Sequence, residues 1–233
     1  MKNILVYVEA AEGKAKNVGL EILTPAKVAA DGGKVTAVVI GKGVEEAAKQ
    51  AITYGADMAV VVDGADYEVY NTDVYTNALV EVIKKYAPNA VFVGATADGK
   101  DLAPNVAAKF GSGCVTNVTG VALDGDKIVY TSPVYAGGIL NDDVCESEIE
   151  FALLRSGAFK KAEPDEAKVG EIIMEEFPCP ADAIRTKVAD VVKEISETVN
   201  LEEADIIVAG GRGVGSAENF AILKDLADAL GGV

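Results

Sequence analysis

The chain has 233 residues; half are hydrophobic, 24 are glycine, 7 are proline, and the formal net charge is −16. This is the composition of a globular protein with one substantial core, or one core and part of a second, and it excludes disorder and repeat arrays. The acidic balance disfavours non-specific binding to nucleic acid or an anionic membrane, while it is compatible with a basic partner surface or simply with solubility.

No apolar run approaches the roughly 20 residues that span a bilayer. Met1, Lys2 and Asn3 enter a strand directly, without a signal-peptide core, so a cytoplasmic location without membrane insertion is expected. Cys114, Cys145 and Cys179 are odd in number and widely spaced. They fit neither a disulfide framework nor a zinc or iron–sulfur spacing and read as reduced structural thiols, with no metal site. There is no histidine, which excludes His-based triads, His general bases and His metal ligands.

In chain order, residues 4–8 are a short apolar strand, and residues 18–30 read as a helix with Leu20, Leu23 and Val28 among its apolar positions. Pro25 predicts a kink or restart there. Residues 35–40 form the next strand, 44–54 a helix closed by Gly55, and 59–62 the third strand. Residues 73–86 form a helix with Leu79, Val82, Ile83 and Tyr86 on its buried stripe, and 90–93 a fourth strand. A loop and a helix over about 102–110 follow. Near-continuous apolar strands alternating with helices predict an α/β fold with a Rossmann-like, mostly parallel sheet covered on both faces.

Beyond Phe110 the texture changes. Residues 118–123 and 127–132 flank Asp124, Gly125 and Asp126 and read as a hairpin. With further strands at 148–154 and 170–177, the region 114–177 reads as an antiparallel extension of the same domain. Residues 181–196 are a charged connector, and a boundary falls near residue 200. This gives a first domain of 1–199 and a second α/β domain of which 200–233 supplies the first strand, turn and helix.

Ligands of such sheets bind at the carboxyl ends of the strands. The first loop there, with Glu9 and Glu12, lacks a dinucleotide fingerprint, and its two acids would repel a phosphate. The loop from Gly94 to Pro104 lacks the Walker A pattern; Asp98 or Asp101 can cap the following helix, with Pro104 in its first turn. The 37 acidic residues show no spacing that singles out a catalytic pair, so no catalytic residue is assigned.

The strongest motif comes near the end of the chain. Ile206, Ile207, Val208 and Ala209 lead into Gly210, Gly211, Arg212, Gly213, Val214, Gly215 and Ser216, and an amphipathic stretch follows over 217–230. Strand, glycine-rich turn and helix form an anion-binding element, with bare amides and a helix N-terminus facing a phosphate. The third glycine comes one position early for the dinucleotide fingerprint. Arg212 offers a planar fork to a diphosphate or an electron-rich ring, or else pairs with a nearby acid such as Glu218.

Three ordered stretches resemble the alpha subunit of electron transfer flavoprotein. The first is Gly94, Ala95 and Thr96 with Gly99, Lys100, Asp101, Leu102, Ala103 and Pro104, departing at Asn105, where that family usually has arginine. The second is the turn Pro133, Val134, Tyr135, Ala136, Gly137 and Gly138, and the third is the glycine-rich turn with the residues leading into it. The resemblance runs from the first strand to the last residue. It implies a heterodimer in which the first domain packs against a beta subunit and the second carries most of an FAD site. Arg212 would contact FAD, Gly211 and Gly213 would hold the turn open, and Ser216 is a further candidate. The implied role is an electron carrier between flavin-dependent dehydrogenases, such as acyl-CoA dehydrogenases, and a downstream acceptor. Some anaerobic relatives bifurcate NADH electrons with a second FAD and ferredoxin. Members of that family continue well past this point, so a longer subunit is expected, and 200–233 alone would hold FAD weakly or not at all. Two other readings remain: an adenine-nucleotide-binding regulatory domain, and a structural assembly domain for a partner subunit.

Overall fold

The computed structural model describes residues 1–189, 204 and 206–233. The chain falls into two compact units, Met1–Ala189 and Asp190–Val233. Of the predicted connector at 181–196, residues 181–189 are described and are tied to Asn71 and Asp73; residues 190–196 and the expected boundary near residue 200 lie outside the described residues.

The first unit runs β1 (Ile4–Tyr7), a small hairpin β2 (Ala10–Ala11) and β3 (Lys14–Ala15), α1 (Asn17–Ala30), β4 (Val35–Gly41), α2 (Glu45–Thr53), β5 (Met58–Asp63), α3 (Thr72–Tyr86), β6 (Ala90–Gly94) and α4 (Ala97–Lys109). Then come β7 (Val115–Val118), β8 (Gly120–Asp124), β9 (Lys127–Val134), β10 (Ile139–Val144), β11 (Glu150–Leu154) and β12 (Glu171–Glu175). Seven strands form a parallel sheet in the order β12-β5-β4-β1-β6-β11-β7.

Burial explains the strand sequences. Ile4, Val6 and Val8 point into one core with Leu20, Ile22 and Leu23 of α1 and Ala47, Ala48 and Ala51 of α2. Leu5 and Tyr7 point the other way, against Leu79, Val82 and Ile83 of α3 and Leu102 and Val106 of α4. A sheet buried on both faces has no solvent side, so its strands need no polar alternation. This is the α/β architecture expected from the sequence. Pro25 sits buried within a continuous α1 rather than breaking it, and Val28 faces outward. The helix that follows β6 begins earlier than residue 102. Thr96 caps it by accepting from the Gly99 amide at 2.9 Å. Neither Asp98 nor Asp101 is the cap, and Pro104 lies past the first turn. Asp101 instead accepts from the Tyr70 hydroxyl at 2.7 Å and ties the helix back to the start of α3.

The antiparallel extension is smaller than the expected 114–177. Only β8, β9 and β10 form it, in the order β10-β9-β8. β8 and β9 make the expected hairpin, with Gly125 at φ +62° in its two-residue turn. The strand at 148–154 is β11, an inner parallel strand, and the strand at 170–177 is β12, the opposite edge. β11 lies between β6 and β7 and is buried throughout, which periodicity alone cannot separate from an antiparallel core strand.

Between β11 and β12 the chain crosses the α1–α2 face. Thr24 donates to the Lys160 carbonyl at 3.0 Å, Lys161 to Asn17 Oδ1 at 2.9 Å, and Lys168 to the Gly55 carbonyl at 2.7 Å. After β12 it returns over α3. The Tyr67 hydroxyl donates to the Phe177 carbonyl at 2.8 Å, and Arg185 pairs with Asp73 at 2.6 Å. The unit is thus belted on both faces by its own C-terminal third.

Two measurements check these packing arguments. A Cβ at Gly99 would lie 2.0 Å from the Gly94 carbonyl oxygen, whereas one at Gly113 meets nothing within 4 Å. Gly99→Ala is expected to lower unfolding free energy in urea by about 2 kcal/mol or more, and Gly113→Ala to stay within about 0.5 kcal/mol. Equal effects would contradict the close approach of α4 to β6. Hydrogen bonds from Arg185 hold the Asp73 carboxyl below its ordinary 3.8. A carboxyl depressed in the folded state stabilises above its unfolded pKa, and that contribution is lost as pH falls through the folded value. Hydrogen exchange should therefore show residues 183–187 losing protection on acidification below pH 3.8, and already at neutral pH in Asp73→Asn. Full protection in that variant would refute the anchor.

Candidate functional site

From β1 the chain moves outward through β4 and β5 on one side, and β6 and β11 lie on the other. The crevice outside the carboxyl ends of β1 and β6 is therefore the default ligand position of the first unit. It is filled from within. Glu9 lies two residues beyond β1 and is only 5% exposed. Its Oε1 accepts a short hydrogen bond from the Thr96 hydroxyl, and its Oε2 lies 3.0 Å from Lys16 Nζ. The anion that the start of α4 would attract is already supplied by the protein. The two acids of this loop were expected to oppose phosphate; Glu9 does so by occupying the place. Tyr7, fully buried alongside, has its hydroxyl pushed far up by burial and then by the neighbouring Tyr75 and Glu9. Burial also pushes the Cys114 thiol up to about 12 and Cys145 up to about 11. All three cysteines are free, and these two lack the thiolate character that reactivity requires.

The second unit carries the glycine-rich turn. The strand expected at 206–209 is not formed as a regular strand; among the described residues, these residues pair only with the end of the chain. Val208 donates to the Val233 carbonyl and Val233 to the Ile206 carbonyl, at 2.6 and 3.0 Å. That alternation is the pattern of a parallel ladder, which requires a crossover helix between its strands. The crossover is α5 (Phe220–Leu230), which starts later than the expected residue 217. A Cβ at Gly210 would lie 2.2 Å from Leu223 Cδ1, so glycine there lets helix and strand approach. Gly215, with φ +84°, reverses the chain ahead of the helix, and Asn219 Nδ2 donates to the Val214 carbonyl at 2.8 Å. The early third glycine is thus a turn residue rather than part of a dinucleotide fingerprint.

Between these fixed points the loop is bare. Added Cβ atoms at Gly211 and Gly213 would meet nothing within 4 Å. Arg212, Gly213 and Ser216 are exposed. Arg212 opens a single 3-10 turn (Arg212–Val214). Among the described residues its side chain has no hydrogen bond or ion pair, so the alternative pairing with Glu218 is not formed. The geometry gathers Gly211, Arg212 and Gly213 in one turn; Ser216 follows on the way to α5. Uncommitted cationic charge on glycine backbone is a donor set that suits the diphosphate of a dinucleotide. The residues present therefore fit FAD at its phosphates. A hollow of about 550 Å³ lies beside α5, lined by Val208, Gly210, Phe220, Leu223 and Ala227 among others.

Comparison with known proteins gives the class and then the family. The sequence pattern of the electron transfer flavoprotein domain matches residues 4–178, and that of the electron transfer flavoprotein FAD-binding domain matches residues 200–233. The chain is 39% identical over its full length to electron transfer flavoprotein subunit alpha of Thermoanaerobacterium thermosaccharolyticum, covering 72% of that protein. It is 38% identical to the same subunit of Megasphaera elsdenii, over 99% of this chain and 70% of the relative. It is also 30% identical to the acryloyl-CoA reductase electron transfer subunit beta of Anaerotignum propionicum, over 99% of this chain and 71% of the relative. The chain belongs to the electron transfer flavoprotein alpha-subunit family. Its role is electron transfer, and FAD is its cofactor. Among the described residues, no helix is long and apolar enough to cross a membrane.

Sequence reading did not find the Glu9–Thr96–Lys16 clasp. Its signal was present: an acid and a hydroxyl residue each follow an adjacent parallel strand closely enough to meet at the sheet end. Glu9→Ala is expected to destabilise the first unit by about 1–3 kcal/mol, because it removes the acceptor of a partly buried hydroxyl and an ammonium. Urea unfolding checks this, and an unchanged midpoint would show that the clasp contributes nothing.

Proposed function

We propose that Arg212, Gly211 and Gly213 receive the phosphates of FAD, with Ser216 at the approach to α5. The observation carrying this reading is the unpartnered Arg212 on a turn whose glycines have open space where side chains would stand. When bound, FAD supplies reversible one- and two-electron chemistry. The chain's own residues bind and orient it. Bare amides at Arg212 and Gly213 accept close approach by oxygen, and the guanidinium favours negative charge at that place.

We assign residues 1–199 to partner holding and 200–233 to the beginning of the FAD domain. The partner reading is supported by the far end of the antiparallel sheet. There Tyr135 is 84% exposed and Leu140 67% exposed, on a turn where Tyr135 and Ala136 both take positive φ. β10 pairs only with β9 and leaves one edge unpaired among the described residues. Apolar side chains on an open strand edge suit another protein rather than water. The partner is an electron transfer flavoprotein beta subunit, and the pair works in the cytoplasm. Its electrons come from a flavin-dependent dehydrogenase such as an acyl-CoA dehydrogenase. The relative named as a subunit of acryloyl-CoA reductase supports acyl-CoA chemistry at the other end of the transfer. Ferredoxin and NADH enter only where the pair bifurcates.

Arg212→Ala, compared with the unaltered subunit in complex with its beta partner, is expected to weaken FAD binding about tenfold. The fold should be unaffected, because the side chain has no partner among the described residues. Flavin fluorescence titration and the flavin potential provide the check. Unchanged affinity and potential would remove Arg212 from the site.

A further inference from the structure

The first unit has a second crevice at its strand ends, one strand along from the place that Glu9 fills. It opens outside the carboxyl ends of β6 and β11, between the first turns of α4 and the strand β7. Its volume is about 520 Å³, within the roughly 300–1,000 Å³ of small-molecule sites. Its lining includes Lys100 and Arg155 and no acidic residue. In a chain with 37 acids against 21 bases, two cations without an acid are a local reversal of charge.

Neither cation is spent. Lys100 makes no side-chain hydrogen bond or ion pair among the described residues. Arg155 donates through Nε to Asn117 Oδ1 at 2.8 Å, and its two terminal nitrogens have no partner among the described residues. That bond holds the guanidinium beside Asn117, itself at φ +62°, and leaves both terminal nitrogens available to a ligand in the crevice. Thr116 and Ser156 add hydroxyl groups at the rim, and Leu153, Pro104 and Ala95 supply an apolar wall. Lys100 and Pro104 stand one helical turn apart on α4 and so share a face.

We infer that this crevice binds a phosphate ester of mononucleotide size, with Lys100 and Arg155 on the phosphate and the Leu153–Pro104 wall against the organic body. The site is separate from the glycine-rich turn and does not depend on the reading given to Arg212. Glu9 closes the usual nucleotide position, and the neighbouring strand ends remain open.

Isothermal titration calorimetry on the full chain tests this with inorganic phosphate, ribose 5-phosphate and AMP as probes, and adenosine as the phosphate-free arm. Saturable binding of an ester, tighter than inorganic phosphate and absent for adenosine, is expected. Lys100→Gln and Arg155→Gln should each weaken it at least about tenfold, and Arg212→Ala should leave it unchanged. Circular dichroism confirms that the variants fold. If Arg155→Gln does not, because Asn117 has lost its tether, Lys100→Gln alone decides. No saturable heat from either ester at millimolar concentration would overturn the proposal. So would binding that ignores Lys100→Gln, binding abolished by Arg212→Ala, or inorganic phosphate binding as tightly as both esters.

Discussion

A parallel sheet has to be covered on both faces, and that constraint organises the first unit. Every residue of β1, β4, β6 and β11 is buried, so helices and connecting chain must cover both sides. Four helices cover most of it. The stretch after β11 crosses one face and the stretch after β12 crosses the other, each tied by hydrogen bonds from long polar side chains. With both faces taken, two kinds of surface remain for function: the carboxyl ends of the strands and the free end of the antiparallel sheet.

The strand ends are electrostatically differentiated. Outside β1 and β6 the protein has installed its own carboxylate, clasped by a hydroxyl and an ammonium, and the seat for an external anion is gone. Outside β6 and β11 it has left two cations without counter-ions among the described residues. In the second unit, an arginine with no side-chain partner among the described residues stands on a turn of glycines with open space around it. With 37 acids against 21 bases, positive charge is the minority here, and both proposed anion sites rest on it.

Much of the first unit was legible because burial on both faces writes itself into the sequence. β1, β4, β5 and β6 are nearly continuous apolar runs, and α3 shows its stripe in Leu79, Val82 and Ile83. The later strands were harder. β11 and β12 carry the same composition whether they lie parallel or antiparallel, and their places are set by long-range crossings that no local pattern encodes. The start of α4 was hidden because Asp98 and Asp101 are good caps by type, while Thr96 won by position and Asp101 was taken by Tyr70. The glycine-rich turn was legible as a turn. Its glycines divide into tasks only in three dimensions: Gly210 lets α5 approach, Gly215 turns the chain, and Gly211 and Gly213 leave open space.

The central claim is that the turn at 210–216 is where this subunit meets its flavin. Hydrogen exchange of the subunit with its beta partner, before and after FAD is added, tests it directly. The account predicts slowed exchange at Gly211, Arg212 and Gly213 once the flavin is bound. Bound flavin with unchanged exchange at those three amides would contradict it.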